Sequence, residues 1–369
     1  MDRKNLDAIM KIYAEQFEEL NDIYKNDEGY KWRAETCFKE HWNIDTDDFT
    51  AMFKQSMKET SNLIDNATVQ PIGGILELLK HDNEVEFVRA CFREHFSEDN
   101  GDLKNRQNRI EIFADKINER LNHYVHGSWK YPQKINNVIY YLNLWKPEEN
   151  YIFKSTEATA WANCIEYGDD FGSGSTFSLA KYYKMCDELL AELPRYDEVM
   201  ELHKKRVKRE MQGYDDKLHI LVYDIIYCAH AYNFYNKVTI QKVSTKERIK
   251  NAKLRTEREE LLQQISEKEA QIKELNNDAV TLPDMVGLSL HHKKYGDGVV
   301  TSCVNHLLLL DFSGEQRKFP HPDSLIQGYL QCTDDSIMEK IKTVNTFEKQ
   351  KKALEKEIAA LKLQLENLK

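Results

Sequence analysis

The sequence predicts a mainly α-helical protein: a helical N-terminal domain, then an antiparallel coiled-coil hairpin with a small β-barrel inserted at its tip. Three observations lead there. Apolar residues recur at helical spacing through most of residues 1–236. Two charged heptad runs of nearly equal length follow, within 237–280 and 333–369. Between them, at 281–332, the helical period gives way to short strand-like runs separated by glycine turns.

The totals set the frame. A chain of 369 residues, 41% hydrophobic and 11% aromatic, has material for two domains and a substantial core. No apolar run is long enough for a bilayer, and the acid-bearing amphipathic start MDRKNLDAIMKIYAEQFEEL is unlike a signal peptide, so a soluble cytoplasmic protein without membrane contact is expected. Seven cysteines without a CxxC fit buried thiols in a reducing compartment. The net charge of −10 is uneven: residues 1–236 carry 30 basic and 42 acidic side chains, whereas 237–275 carry 10 and 7. Bulk charge therefore repels nucleic acid, and any such contact must be local. The densest basic run is Lys204, Lys205, Arg206, Lys208 and Arg209, the candidate nucleic-acid-binding set, against the plainer reading of a solvated helix face.

Taken in order, Ile9, Ile12, Phe17, Leu20, Ile23 and Tyr24, then Phe49, Met52, Phe53 and Met57, mark helices, and Pro71, Gly73 and Gly74 read as a break before a new helix from Ile75. An internal echo stands out: Cys37-Phe38-Lys39-Glu40-His41-Trp42 returns as Cys91-Phe92-Arg93-Glu94-His95-Phe96. Cys and His four apart share a helix face, so Cys37, His41, Cys91 and His95 raise the question of zinc. Their aromatic, amphipathic setting favours a repeated packing unit, and no metal or other cofactor is expected.

The chain next turns at His126-Gly127-Ser128 and runs through NNVIYYLNLWKPEENYIFKSTEA. With Asn105, Arg106 and Phe113, this stretch (about 85–165) resembles the helical non-ATPase region of McrB-type restriction ATPases, in which a Lys-Pro or Asn-Pro turn leads into a Tyr-x-Ile/Phe-Lys strand. The chain lacks the GxxxxGK[ST] loop, so the resemblance implies that nucleotide hydrolysis belongs elsewhere. Gly172-Ser173-Gly174-Ser175 has no following lysine and reads as a loop before the helix Leu179–Leu190, with Ser175, Thr176 or Ser178 as its cap. LHILVYDIIYCAHAYNFY is apolar around most of its circumference and so buried. Its Asp224 reads as a core carboxylate paired with a tyrosine or a basic group, in preference to membership of a His219, Asp224 and Cys228 catalytic set.

In the first heptad run Leu254, Leu261 and Leu275 occupy d and Ile265, Ile272 and Ala279 a; in the second, Val344, Ile358 and Leu365 occupy a and Phe347, Leu354, Leu361 and Leu368 d. Between them Met285–His292, Val299–Cys303, Leu307–Phe312 and Gln316–Phe319 read as strands, enough for an SH3-like barrel. The segment LSLHHKKYGDGVVTS…LLLLDFSGEQRKFPHPDSLIQGYL, about 284–331, resembles the SH3/Tudor-like module at the C-terminus of UvrD/PcrA-type helicases. The shared signs are His292, Tyr295, Gly296, Gly298 and Val300, followed by Leu310 and Phe312.

Lys293, Lys294, Tyr295, Arg317, Lys318, Phe319 and His321 are the exposed partner-binding candidates; Tyr295 and Phe319 have the alternative task of closing the barrel. Four basic against five acidic residues in 281–332 favour a protein partner over nucleic acid. The expected function is a non-catalytic adaptor in a bacterial nucleic-acid-processing or restriction-defence complex. Two alternatives stay open: direct DNA or RNA binding through residues 204–209 and the barrel, and a metal-dependent enzyme using Glu157, Glu166, Asp169, Asp170 or Asp224. A homodimer through the coiled coil is open as well.

Overall fold

The computed structural model describes residues 1–65, 68–127, 130–210, 215–240, 243–277 and 281–368. Ser128 of the turn and Ala279 of the first heptad run lie outside the described residues. Among these the chain is mainly helical, with one five-stranded antiparallel curled sheet. It divides into two compact units, Met1–Ala252 and Lys253–Lys369.

The first unit contains α1 (Arg3–Leu20), α2 (Tyr30–His41), α3 (Phe49–Ser56), α4 (Ser61–Ile64), α5 (Pro71–Leu78), α6 (Asp82–His95), α7 (Leu103–Leu121), α8 (Ile135–Trp145), α9 (Ser155–Cys164), α10 (Leu179–Glu192), α11 (Asp197–Glu210) and α12 (His219–Ala231). Amphipathic spacing builds them. On α1 the buried Leu6, Ile9, Met10, Tyr13, Phe17 and Leu20 form one stripe, and the Asp2 carboxylate caps the helix by accepting from Asn5 N at 3.1 Å. One apolar core runs from Leu6 to Phe234.

Three expectations are corrected in this unit. Pro71, Gly73 and Gly74 do not break a helix; they begin α5, where proline at the first helical position loses no hydrogen bond. Gly74 is there for close approach, since a Cβ would meet the Tyr131 carbonyl oxygen at 2.5 Å. Residues 151–154 form no strand: Tyr151, Ile152 and Phe153 are buried as irregular chain. Finally, the long helix after residue 237 begins only at Thr245, and residues 234–237 make a short 3₁₀ turn.

The repeated Cys-Phe-x-x-His-aromatic segments end α2 and α6, and they pack on each other. Trp42 lies 5.2 Å from Phe92 and 5.4 Å from Phe96 between ring centroids, and Phe38 lies 6.3 Å from Phe96. The echo therefore marks two helix ends sharing one aromatic cluster.

The unit boundary falls inside α13 (Thr245–Asn277). The strands β1 (Ser289–His292), β2 (Gly296–Val304), β3 (Leu307–Phe312) and β4 (Glu315–Pro320) are followed by α14 (Asp323–Ile326), β5 (Leu330–Gln331) and α15 (Asp335–Asn367). The strand order is β4-β3-β2-β1-β5. Asn305-His306 and Ser313-Gly314 each place two residues at positive φ, the requirement of a two-residue turn whose twist matches its strands. Alternation delivers Leu290, Val300, Leu308, Leu310 and Phe312 to one face, where they meet Met285, Leu325, Leu330 and Ile341.

α13 and α15 are 33 residues each. Lys268 bonds to Glu357, Lys362 to Glu269 at 2.9 Å, and Lys351 to the Asn276 side chain at 3.1 Å. Ile265, Val344 and Ile358 are buried, while Leu261, Ile272, Leu354, Leu361 and Leu365 are half-buried.

Candidate functional site

The β module concentrates aromatic and basic groups around its first hairpin. β1 and β2 pair from Ser289↔Val299 to His292↔Gly296, leaving the three-residue loop Lys293–Tyr295 before Gly296, whose φ is +78°. Gly298 is demanded by packing instead, because a Cβ there would stand 2.6 Å from the Phe312 ring. That contact sets the hairpin directly on the module core.

Around it lies a ring cluster. His292 stacks on Tyr295 with centroids 4.6 Å apart, Tyr295 meets Phe312 at 5.6 Å, and Phe319 meets His292 at 5.3 Å. The Arg317 guanidinium sits 4.3 Å above the Tyr295 ring and the Lys294 ammonium 5.4 Å from it. At such distances a cation is held over the π face yet stays in water, worth about 0.5–1 kcal/mol. Arg317 also pairs with Glu315 at 2.8 Å.

Of the seven partner-binding candidates, Lys293, Lys294, Arg317 and Lys318 are exposed, and Tyr295 and Phe319 are half-buried against the core. His321 departs from the expectation. It is 3% exposed, both ring nitrogens lack partners among the described residues, and burial, with His306 nearby, lowers its pKa. Its backbone N–H donates to the His306 carbonyl at 2.8 Å, which draws the residue inward. A residue outside the sequence-based set replaces it: Tyr329, 60% exposed, borders a cavity of about 320 Å³ with His292, Phe319, Pro320, Asp323, Ser324 and Gln327. An aromatic between Gly328 and the buried Leu330 was the available sign.

On α11 the basic run divides. Lys204, Lys205, Lys208 and Arg209 are exposed, and Lys204 pairs with Glu201 at 2.6 Å. Arg206 is no part of that surface; its side chain is fully buried. It belongs to an internal network, where its guanidinium donates to Asp224 at 2.8 Å and to the Tyr13 hydroxyl at 3.0 Å, 3.6 Å from the Trp32 ring centroid. The Lys31 ammonium donates to Asp224 at 2.7 Å and to Glu28, which also accepts from Tyr232. Two cations and two carboxylates thus balance in the core, as the apolar surroundings of Asp224 require. Burial raises the Asp224 pKa, but Lys31 and Arg206 outweigh it and hold the carboxyl down at about 2.

Glu28, Asp224 and Cys228 converge closely enough to suggest a metal centre. The donor set does not fit one, because the Lys31 ammonium already bonds to both carboxylates and supplies the cation. Nor does the Cys228 thiol suit a nucleophile: burial and the nearby Asp224 raise its pKa, and the His219 ring packs on Tyr151 at 4.0 Å. Cys37, His41, Cys91 and His95 do not assemble as a ligand set among the described residues. His41 Nδ1 lies 2.8 Å from the Cys37 carbonyl and His95 Nε2 3.0 Å from that of Val138, and burial brings His95 down to about 3.

The Gly172–Ser175 loop is occupied with its own geometry, since at Gly172 (φ +69°) a Cβ would overlap the Thr176 carbonyl, and Ser178 caps α10. Of the remaining acids, Asp169 pairs with Lys181 at 2.9 Å. No described helix is long and apolar enough to cross a membrane. No family model, curated protein or solved structure matches this chain.

Proposed function

We propose that this chain is a non-catalytic cytoplasmic adaptor whose β module, closing as an SH3/Tudor-like barrel, docks a protein partner in a nucleic-acid-processing or restriction-defence complex. In this reading α13 and α15 form an antiparallel coiled-coil hairpin that displays the barrel. The reversed order of the contacts Lys268–Glu357 and Asn276–Lys351 supports the hairpin, since later residues on one helix meet earlier residues on the other. The observation that carries docking is the Lys294 and Arg317 pair over Tyr295, in water and beside exposed Lys293 and Lys318. Arginine and tyrosine are the residue types that anchor interfaces. The experiment is quantitative co-purification from the native cell with the intact chain, with residues 281–332 deleted, and with Lys294→Glu/Arg317→Glu. A partner lost in both altered chains supports docking; equal recovery from all three refutes it.

Direct nucleic-acid binding is the second reading, favoured by the exposure of Lys204, Lys205, Lys208 and Arg209 on two turns of α11. A salt-dependent mobility shift abolished by reversing those four charges supports it. Absence of a shift at low salt removes it.

A further inference from the structure

The C-terminal turns of α15 are more apolar than one neighbouring helix covers. In the stretch Ile358-Ala359-Ala360-Leu361-Lys362-Leu363-Gln364-Leu365, six of eight residues are apolar. One flank takes up Ile358, Leu361 and Leu365 and is linked to α13 by Lys362–Glu269 and Lys268–Glu357. A second flank, Lys352, Lys356, Ala359, Leu363 and Glu366, follows the helical spacing i, i+4, i+7, i+11 and i+14. All five of its residues are exposed, Leu363 at 60%. A lone exposed leucine is ordinary. What distinguishes this one is its frame: a small alanine on one side, and beyond the pair a lysine and a glutamate that make no ion pair among the described residues.

That order is complementary to its own reverse. A two-fold axis midway between Ala359 and Leu363 sets Ala359 of each copy opposite Leu363 of the other, small against large. It also sets Lys356 opposite Glu366 on both sides of the axis. A parallel arrangement would instead oppose lysine to lysine and glutamate to glutamate, so the charges select the antiparallel register. We propose that the chain self-associates as an antiparallel two-fold dimer through this flank of α15, with Leu363 on Ala359 at its centre and Lys356–Glu366 pairs at its ends. A contact of this kind uses the same patch on both copies, so it closes at two chains and does not propagate.

Sedimentation velocity of the full chain, from micromolar to sub-millimolar concentration, tests it. A concentration-dependent dimer is expected. Leu363→Glu buries a charge at the centre and raises the dissociation constant by about tenfold or more, equivalent to about 1.4 kcal/mol. Lys356→Glu and Glu366→Lys each place like charges together twice per dimer and weaken it, and the double swap Lys356→Glu/Glu366→Lys restores it. These positions are exposed, so folding is spared, and unchanged helical circular dichroism checks this. A monomer throughout the range, a dimer indifferent to Leu363→Glu, or a swap that fails to restore association overturns the proposal.

Discussion

Replacing Asp224 by asparagine keeps the shape of the side chain and removes one charge from the buried network. In the wild type Lys31 and Arg206 face Glu28 and Asp224, and the side chains of all four are at most 3% exposed. After the substitution Lys31 keeps Glu28, whereas Arg206 keeps neutral partners, the Tyr13 hydroxyl at 3.0 Å, Asn21 at 3.3 Å, His203 Nδ1 at 3.2 Å and the new amide oxygen, with the faces of Trp32 and Phe17. One positive charge is thus left uncompensated in the core. Removing one member of a buried pair costs about 3–5 kcal/mol, or about two to three and a half orders of magnitude in the folding equilibrium.

The cation–π contacts soften the loss, so the lower end of that range is expected. All five tryptophans lie in residues 1–252, so their fluorescence during urea denaturation of the full chain follows the helical unit alone. A double-mutant cycle with Lys31→Met should show a coupling of about 1–3 kcal/mol, because Lys31 bonds to Asp224 directly at 2.7 Å and the second change restores the balance of one cation, Arg206, to one carboxylate, Glu28. Should Asp224→Asn lie within about 1 kcal/mol of wild type, the network is not the electrostatic lock described here. The pH sense follows from the lowered carboxyl: its stabilisation is present above the unfolded carboxylate range and is lost as pH falls through about 2.

Other outcomes follow from single contacts. Gly298→Ala drives a methyl group against Phe312 and should destabilise the β module by about 1–3 kcal/mol, read as faster hydrogen exchange in β1 to β3 with α1 to α12 unchanged. Arg317→Glu alone should reduce partner recovery several-fold while leaving that exchange pattern intact, because the side chain is exposed. His203 and Asp215 lie 3.4 Å apart with opposite shifts: burial, then Arg206, brings the histidine down to about 3, and burial lifts the acid to about 7 despite three N–H donors. Between about pH 4 and 6.5 their slopes therefore cancel. His203→Gln should unmask Asp215, making the thermal midpoint fall as pH rises from 4 to 7, and Asp215→Asn should unmask His203, making it fall as pH drops below 6.5. Parallel profiles in the two variants would contradict the assignment.

Long-range periodicity was legible because it averages over many residues. The two 33-residue helices and the alternation that delivers Leu308, Leu310 and Phe312 to one face needed no knowledge of partners. Single residues were harder, because their burial is decided by neighbours far along the chain. Arg206 sits in a run that looks uniformly basic, yet Asp224 on α12 and Tyr13 on α1 draw it inward. The sign was present all the same: Val199, His203 and Arg206 follow the spacing i, i+4, i+7, and all three are buried, which leaves Lys204, Lys205, Lys208 and Arg209 on the opposite side. His321 offered no such sign, since the carbonyl that holds its N–H belongs to a turn across the sheet. The contrast bears on function. In the helical core Lys31, Arg206, Glu28 and Asp224 satisfy one another, so that cluster has no charge to offer a ligand. Lys293 and Lys318 on the β module make no ion pair among the described residues and keep their hydration. Binding chemistry is available where charge has not already been neutralised from within, a condition met by Lys293 and Lys318 on the β module and equally by the exposed Lys205 and Lys208 of α11, which make no ion pair among the described residues.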